Sequence, residues 1–129
     1  MERWLGRYAD EIYATLRVVA GLMFALHGAQ KFGLLGDGPR LPGNTLMLVA
    51  GTIELVGGLL IAIGLFTGIA AFLASGQMAV AYFMAHFPQG WNPVDNKGEV
   101  AALYCFLFLY IAARGSGPCS VDRQMKRRR

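Results

Sequence analysis

Five side chains able to move protons or hydrogen-bond a ligand interrupt, or border, the long apolar stretches of this 129-residue chain: His27, Lys31, Glu54, His86 and Glu99. Glu54 is the sharpest case. It is the only charged residue in LMLVAGTIELVGGLLIAIGLF (Leu46 to Phe66). A carboxylate near a bilayer midplane costs at least ~3 kcal/mol on insertion scales, so it must face protein or water and find a partner or a proton. Imidazole, ammonium and carboxylate groups gathered in one pocket form a set that can donate to a ligand and relay protons. Each residue also has a simpler role open to it. A His at a helix end sits at the membrane interface, Lys31 snorkels to the headgroups, and Glu99 is favoured by the dipole of the helix it starts. Glu54 alone has no interfacial role; its structural alternative is a buried pairing, for instance with His27 or Arg17.

The elements that must position these residues read as membrane-spanning helices. The composition is 55% apolar and only 16% charged, too apolar for a soluble domain of this size. About 20 mostly apolar residues cross the ~30 Å hydrocarbon core. Helices are expected at about residues 12–32, 46–66, 67–87 and 99–114 within a single transmembrane domain, residues 1–129, followed by a basic cytoplasmic tail, 115–129. The fourth is short. Val100 to Ala113 is apolar throughout, about 21 Å at 1.5 Å per residue, and spans only with Glu99 and Arg114 at the interfaces. A soluble helical bundle would need a polar stripe on every helix, and the second and third segments have none. Arg3 and Arg7 before Val18 to Leu26 resemble a cleavable leader; with three apolar segments further along, the first is read as retained.

Basic residues fix the expected orientation. Arg3, Arg7 and Arg17 lie at one end of the chain, and Arg114, Arg123, Lys126, Arg127, Arg128 and Arg129 at the other. The positive-inside rule puts both termini in the cytoplasm, which demands an even number of spans. The fold class is therefore all-α: an integral membrane four-helix bundle, antiparallel, with both termini cytoplasmic. The net charge of +4 and the terminal RRR are assigned to topology and anionic headgroups, so the lipid bilayer is the partner and nucleic acid is not. Helices two and three meet in a tight hairpin at Phe66-Thr67-Gly68. The outer loops, Gly33 to Asn44 and Pro88 to Gly98, are longer and rich in turn residues.

Helical spacing then sorts the faces. Gly51, Glu54, Gly58 and Ala62 share a small-residue face of the kind that lets helices approach closely in lipid. Ala71, Ser75, Ala79, Tyr82 and His86 share another; Ala20, Phe24, His27 and Lys31 a third; Glu99, Leu103, Phe106 and Tyr110 a fourth. In an antiparallel bundle these faces converge in the outer half as a polar pocket narrowing toward Glu54. Gln77 lies off the His86 stripe and is read as a bond to a neighbouring helix.

Several chemistries lack their signatures. Thiol redox needs a paired motif such as C-x-x-C, whereas Cys105 and Cys119 are far apart in sequence. His27 and His86 at one depth would suit a bis-histidine haem, but a lysine and two carboxylates are poor company for it. No E-x-x-H pair supports a di-iron bundle, and no phosphate loop or nucleophile elbow occurs. No metal is expected.

HGAQKFG (His27 to Gly33), IELVGGLLIAIGLFT (Ile53 to Thr67), AHFPQGW (Ala85 to Trp91), GEVAALY (Gly98 to Tyr104) and GPCSVDR (Gly117 to Arg123) together resemble the DoxX family, in order from about Leu16 to Arg123. The resemblance implies a small bacterial inner-membrane protein of four helices, related to the DoxD-type subunit of thiosulfate:quinone oxidoreductases. Its pattern matches His27, Lys31, Glu54 and Glu99 and supplies no agreed mechanism. It leaves two readings. One is a membrane accessory subunit of a larger complex, not an enzyme by itself, contacting quinone through the outer pocket. The other is a quinone-interacting oxidoreductase subunit acting with a redox partner. In the oxidoreductase reading, His27, Lys31 and His86 are expected to donate to the ring carbonyls, Glu54 and Glu99 to relay protons, and Phe24, Tyr82 and Phe106 to wall the ring. Other membrane subunits are expected as partners, and a homo-oligomer is compatible with the same faces.

Overall fold

The computed structural model describes residues 1–129, and every regular element in it is helical. Three helices are long and apolar enough to cross a membrane: α1 (Glu2–Lys31), α2 (Thr45–Ile63) and α3 (Thr67–Gln89). A fourth, α4 (Glu99–Arg114), is shorter, and α5 (Val121–Arg127) lies near the end of the chain. The first helix begins well before residue 12, because Glu2–Leu5 and Gly6–Tyr8 already form helical turns ahead of Ala9–Lys31.

Side-chain size is distributed inside out compared with a soluble bundle. The interior is built of Ala20, Ala70, Ala71 and Ala74 with a few large residues, Phe24, Ile61, Phe108 and Ile111, at its centre. Leu22, Leu26, Val56, Leu59, Phe72 and Phe106 are exposed. An outer surface this apolar is stable only against lipid, where large side chains face acyl chains and small ones let backbones touch.

α1 and α2 show that contact directly. A Cβ on Gly28 would collide with the Leu55 amide nitrogen, and one on Gly58 would lie 2.5 Å from that of Ala25. Gly21 faces Gly58 and Ala62 just as tightly. At these positions the two helices are in van der Waals contact through their backbones, with no room for a side chain. α4 lies against α3 and α1 through Tyr104, Phe108 and Ile111; Phe24 meets Phe108 at 4.7 Å between ring centroids.

Two helices carry a π-helical turn, at Ile53–Gly57 in α2 and Tyr82–His86 in α3. Each inserts an extra residue and so rotates the remainder of its helix by about 100°. Both turns contain a candidate site residue.

The start of α1 and the end of α4 lie at the same end of the molecule. Arg114 pairs with Asp10 at 2.7 Å, and the Tyr13 hydroxyl donates to the Gly115 carbonyl. Residues 115–120 do not trail free. The Arg17 side chain, wholly buried, donates to the carbonyls of Ser116 and Cys119 and reaches those of Ala62 and Pro118. Asp122 supplies an external cap for α3, accepting from the Phe66 and Thr67 amides and the Thr67 hydroxyl at 2.9 to 3.0 Å. Such a cap satisfies amides that a helix start leaves open. Burial pushes the Asp122 carboxyl up, but those three bonds and the charge of Lys126 outweigh it and hold it below the ordinary carboxylate value. The hairpin it secures turns through Gly64 (φ 75°) and Phe66 (φ 49°). At Gly64 a Cβ would collide with Ser120 and Arg17. The GPCSVDR stretch is thus a structural clasp around Arg17 and the α2–α3 hairpin.

Candidate functional site

At the opposite end, α1, α2, α3 and α4 surround a cleft of about 230 Å³. Its deepest charged group is Glu54, 4% exposed. The π-helical turn directs this side chain away from lipid and toward α1 and α3. Lys31 Nζ lies 2.6 Å from Oε2, and Gln77 Nε2 donates to Oε1 at 2.7 Å. Both carboxylate oxygens are therefore engaged, one by a cation from α1 and one by an amide from α3. Of the partners open to Glu54, the structure selects Lys31. Arg17 belongs to the clasp at the other end. Gly51 leaves room beside the pair, since a Cβ there would press on the Phe32 ring at 3.1 Å and on Lys31 Cβ at 3.3 Å. The remaining amide oxygen of Gln77 is buried without a partner.

His27 and Lys31 follow Phe24 on one face of α1, and all three line the cleft. Phe24 is buried against Tyr104 and Phe108, which fixes the aromatic wall. Tyr104 stacks on Phe108 and takes the edge of the His27 ring at 6.4 Å. Met78 and Ala81 from α3, with Val100 and Ala101 from α4, complete the apolar lining.

His86 enters from the second π-helical turn. Its Nδ1 lies 3.0 Å from the Asn96 carbonyl. A carbonyl only accepts, so Nδ1 carries a proton and the neutral ring keeps Nε2 as its acceptor. Asn96 is itself pinned: its amide donates to the Gly90 carbonyl and the Tyr82 hydroxyl, and its oxygen accepts from the Gly98 amide. The loop so fixed brings Lys97 to the rim of the cleft. Lys97 takes a positive φ of 61°, next to Gly98, where a Cβ would strike the Tyr82 ring at 2.7 Å.

Three residues grouped with this site by helical spacing lie elsewhere. Tyr82 braces the loop through its hydroxyl rather than walling the cleft. Phe106 is 71% exposed and points outward. Glu99 is exposed in the first turn of α4. The buried face of α4 carries Tyr104, Phe108 and Ile111, offset from the face that begins at Glu99. Tyr104 and Lys97 are the contributors that helical spacing overlooks, whereas Gln77 makes a bond to a neighbouring helix, as its place off the His86 stripe suggests. The alternation of Tyr104 with Phe108 and Ile111 at spacings of four and three was the available signal for Tyr104. No three His, Cys, Asp or Glu side chains converge as a metal-ligand set.

The cleft thus joins ammonium donors, two imidazoles and one carboxylate to an aromatic wall. A cavity of about 150 Å³ suffices for benzene, so a single substituted ring fits this one. Its cations and N–H groups suit an oxygen-bearing ligand, and Glu54 and the His86 imidazole can accept protons.

Comparisons with known proteins agree with the architecture. The DoxX family model matches residues 12–87. A protein of Haemophilus influenzae described as uncharacterized is 43% identical over 128 residues, covering 93% of this chain and 95% of its own length. No solved structure matches.

Proposed function

This chain belongs to the DoxX family of multi-pass membrane proteins, and from that premise we propose that it is an accessory subunit of a larger complex whose cleft receives a quinone headgroup. The observation that carries this reading is the Lys31–Glu54 pair at the foot of an aromatic-walled cleft. Within the proposal, α4 is the fourth span of an antiparallel bundle in a bacterial inner membrane, with both termini cytoplasmic and the cleft in the outer half. The excess of Arg and Lys at the clasp end supports that orientation.

The donor set fits a ring with two carbonyl oxygens. Lys31 and His27, neighbours on α1, donate on one side and Lys97 approaches from the loop side, while His86, its Nδ1 proton committed to Asn96, offers Nε2 to accept from a quinol hydroxyl. Phe24 and Tyr104 offer the ring a face and an edge. A bound quinone would supply two-electron, two-proton chemistry, and a partner polypeptide would supply the redox centre. Glu54 holds the Lys31 ammonium at hydrogen-bonding distance from the cleft and is the proton acceptor deepest within it. Gln77 keeps the carboxylate turned toward that ammonium.

The test is quinone content after purification in mild detergent, measured by mass spectrometry of extracted lipid. Wild-type protein retains quinone stoichiometrically. Glu54→Gln keeps shape and fold but weakens the hold on Lys31; losing one charged hydrogen bond of about 1.5 kcal/mol lowers retention about tenfold. Wild-type protein carrying no more quinone than an empty micelle overturns the proposal.

A further inference from the structure

The clasp end of the molecule carries a second, independent site. Between the start of α3 and α5 lies a recess of about 360 Å³ lined by Phe66, Gly68, Asp122, Met125, Lys126 and Arg129, with Gly115 and Ser116 at its back. Its charge is cationic in effect. The one carboxylate, Asp122, has both oxygens committed to the Phe66 and Thr67 donors, whereas Lys126 and Arg129 form no ion pair within the chain.

Two apolar grooves leave this recess. Gly68 lines the recess and also a groove of about 470 Å³ between α3 and α4, walled by Phe72, Leu109 and Ala112. Phe66 lines the recess and also a groove of about 340 Å³ between α2 and α3, walled by Ile53, Val56 and Leu60. Ile69 and Leu73 belong to both grooves and form the ridge between them. No ionised side chain interrupts either groove.

We propose that this end binds one anionic phospholipid, its phosphate held by Lys126 and Arg129 and its two acyl chains straddling the Ile69–Leu73 ridge. A cationic mouth selects an anionic head, and two diverging apolar grooves select two chains, so a membrane phospholipid satisfies both requirements at once. Phe66 and Met125, both large and exposed, sit where headgroup gives way to acyl chain. The assignment is independent of the quinone cleft, which lies at the other end.

The experiment uses the full chain in detergent, titrated with dioleoyl phosphatidylglycerol or dioleoyl phosphatidylcholine and read by native mass spectrometry. Wild-type protein prefers the anionic lipid roughly thirtyfold, in line with two basic contacts of about 1 kcal/mol each. The K126A/R129A variant brings the two lipids to parity, while R127A/R128A, with the same loss of charge outside the recess, keeps the preference. Ile69→Trp, at an exposed ridge position that leaves the interior intact, lowers binding of both lipids. Equal loss in the two double variants means diffuse attraction to basic residues and overturns the site. Glycerol phosphate competing as well as the lipid means a free phosphate site and overturns the phospholipid. Unchanged binding by a folded Ile69→Trp variant overturns the acyl-chain grooves.

Discussion

Removing the Lys31 ammonium tests whether the Glu54 pair holds the cleft together. In Lys31→Met the stem is kept and the charge is lost, leaving Glu54, whose side chain is 5% exposed, with Gln77 as its one partner. Breaking a fully buried pair from one side costs about 3 to 5 kcal/mol. The Lys31 side chain is 25% exposed, and Gln77 stays bonded, so the expected loss is lower, about 2 to 3 kcal/mol. For a chain of this length each kcal/mol moves the melting temperature by about 4 °C, which gives a drop of about 8 to 12 °C in detergent. The double variant Lys31→Met with Glu54→Leu removes both charges and recovers most of that loss, because an apolar pair in place of a buried ion pair is close to neutral. A double-mutant cycle on thermal unfolding then reads a coupling of about 2 kcal/mol. Additive losses in the cycle would refute the idea that Lys31 and Glu54 stabilise each other.

Other perturbations probe the helix contacts and the clasp. Gly28→Ala drives a methyl group into the Leu55 amide nitrogen, forcing α1 from α2 at a cost of about 3 kcal/mol or a failure to fold; Gly76→Ala, which meets nothing within 4 Å, leaves the melting temperature unchanged or raised. The depressed Asp122 carboxyl contributes stability that is complete above its ordinary value near ~4 and fades as pH falls through the lower folded value. Asp122→Ala therefore costs about 1 to 2 kcal/mol at neutral pH and loses less than wild type on acidification, as melting between pH 7 and pH 2 reads directly. Arg17→Ala frees the carbonyls of Ser116, Pro118 and Cys119, and hydrogen exchange of the 115–120 segment rises about tenfold to a hundredfold.

The pattern fixed by solvent is the part of this fold most legible in the sequence. The apolar runs and the lone Glu54 among them identify membrane-crossing helices and a carboxylate needing a partner, since both follow from the cost of polarity in lipid. The face of α1 bearing Phe24, His27 and Lys31 is legible too: α1 is regular there, and residues three and four apart stay aligned. The faces of α3 and α4 are less so. A π-helical turn at Tyr82–His86 shifts the register from there on, and Tyr82 braces the loop instead of walling the cleft. On α4 a charge, Glu99, is a poor guide to the buried face in lipid, where Phe106 turns outward and Tyr104 inward. Lys97 arrives through a positive-φ residue in a loop pinned by Asn96, a geometry no periodicity encodes. Arg17 is the clearest case of concealment. In the N-terminal part of the chain it counts toward topology, yet three of the four carbonyls it reaches lie about a hundred residues further along.

The central claim is that a quinone headgroup occupies the cleft between Lys31, Glu54 and Tyr104. Photolabelling with an azido-quinone, combined with mass spectrometry of the labelled peptides, tests it most directly. Label is expected on cleft residues such as Met78, His86 and Tyr104, displaced by excess unlabelled quinone and sharply reduced in Glu54→Gln. Label confined to outward residues such as Phe72 or Phe106, insensitive to competitor and to the Glu54 substitution, would contradict it.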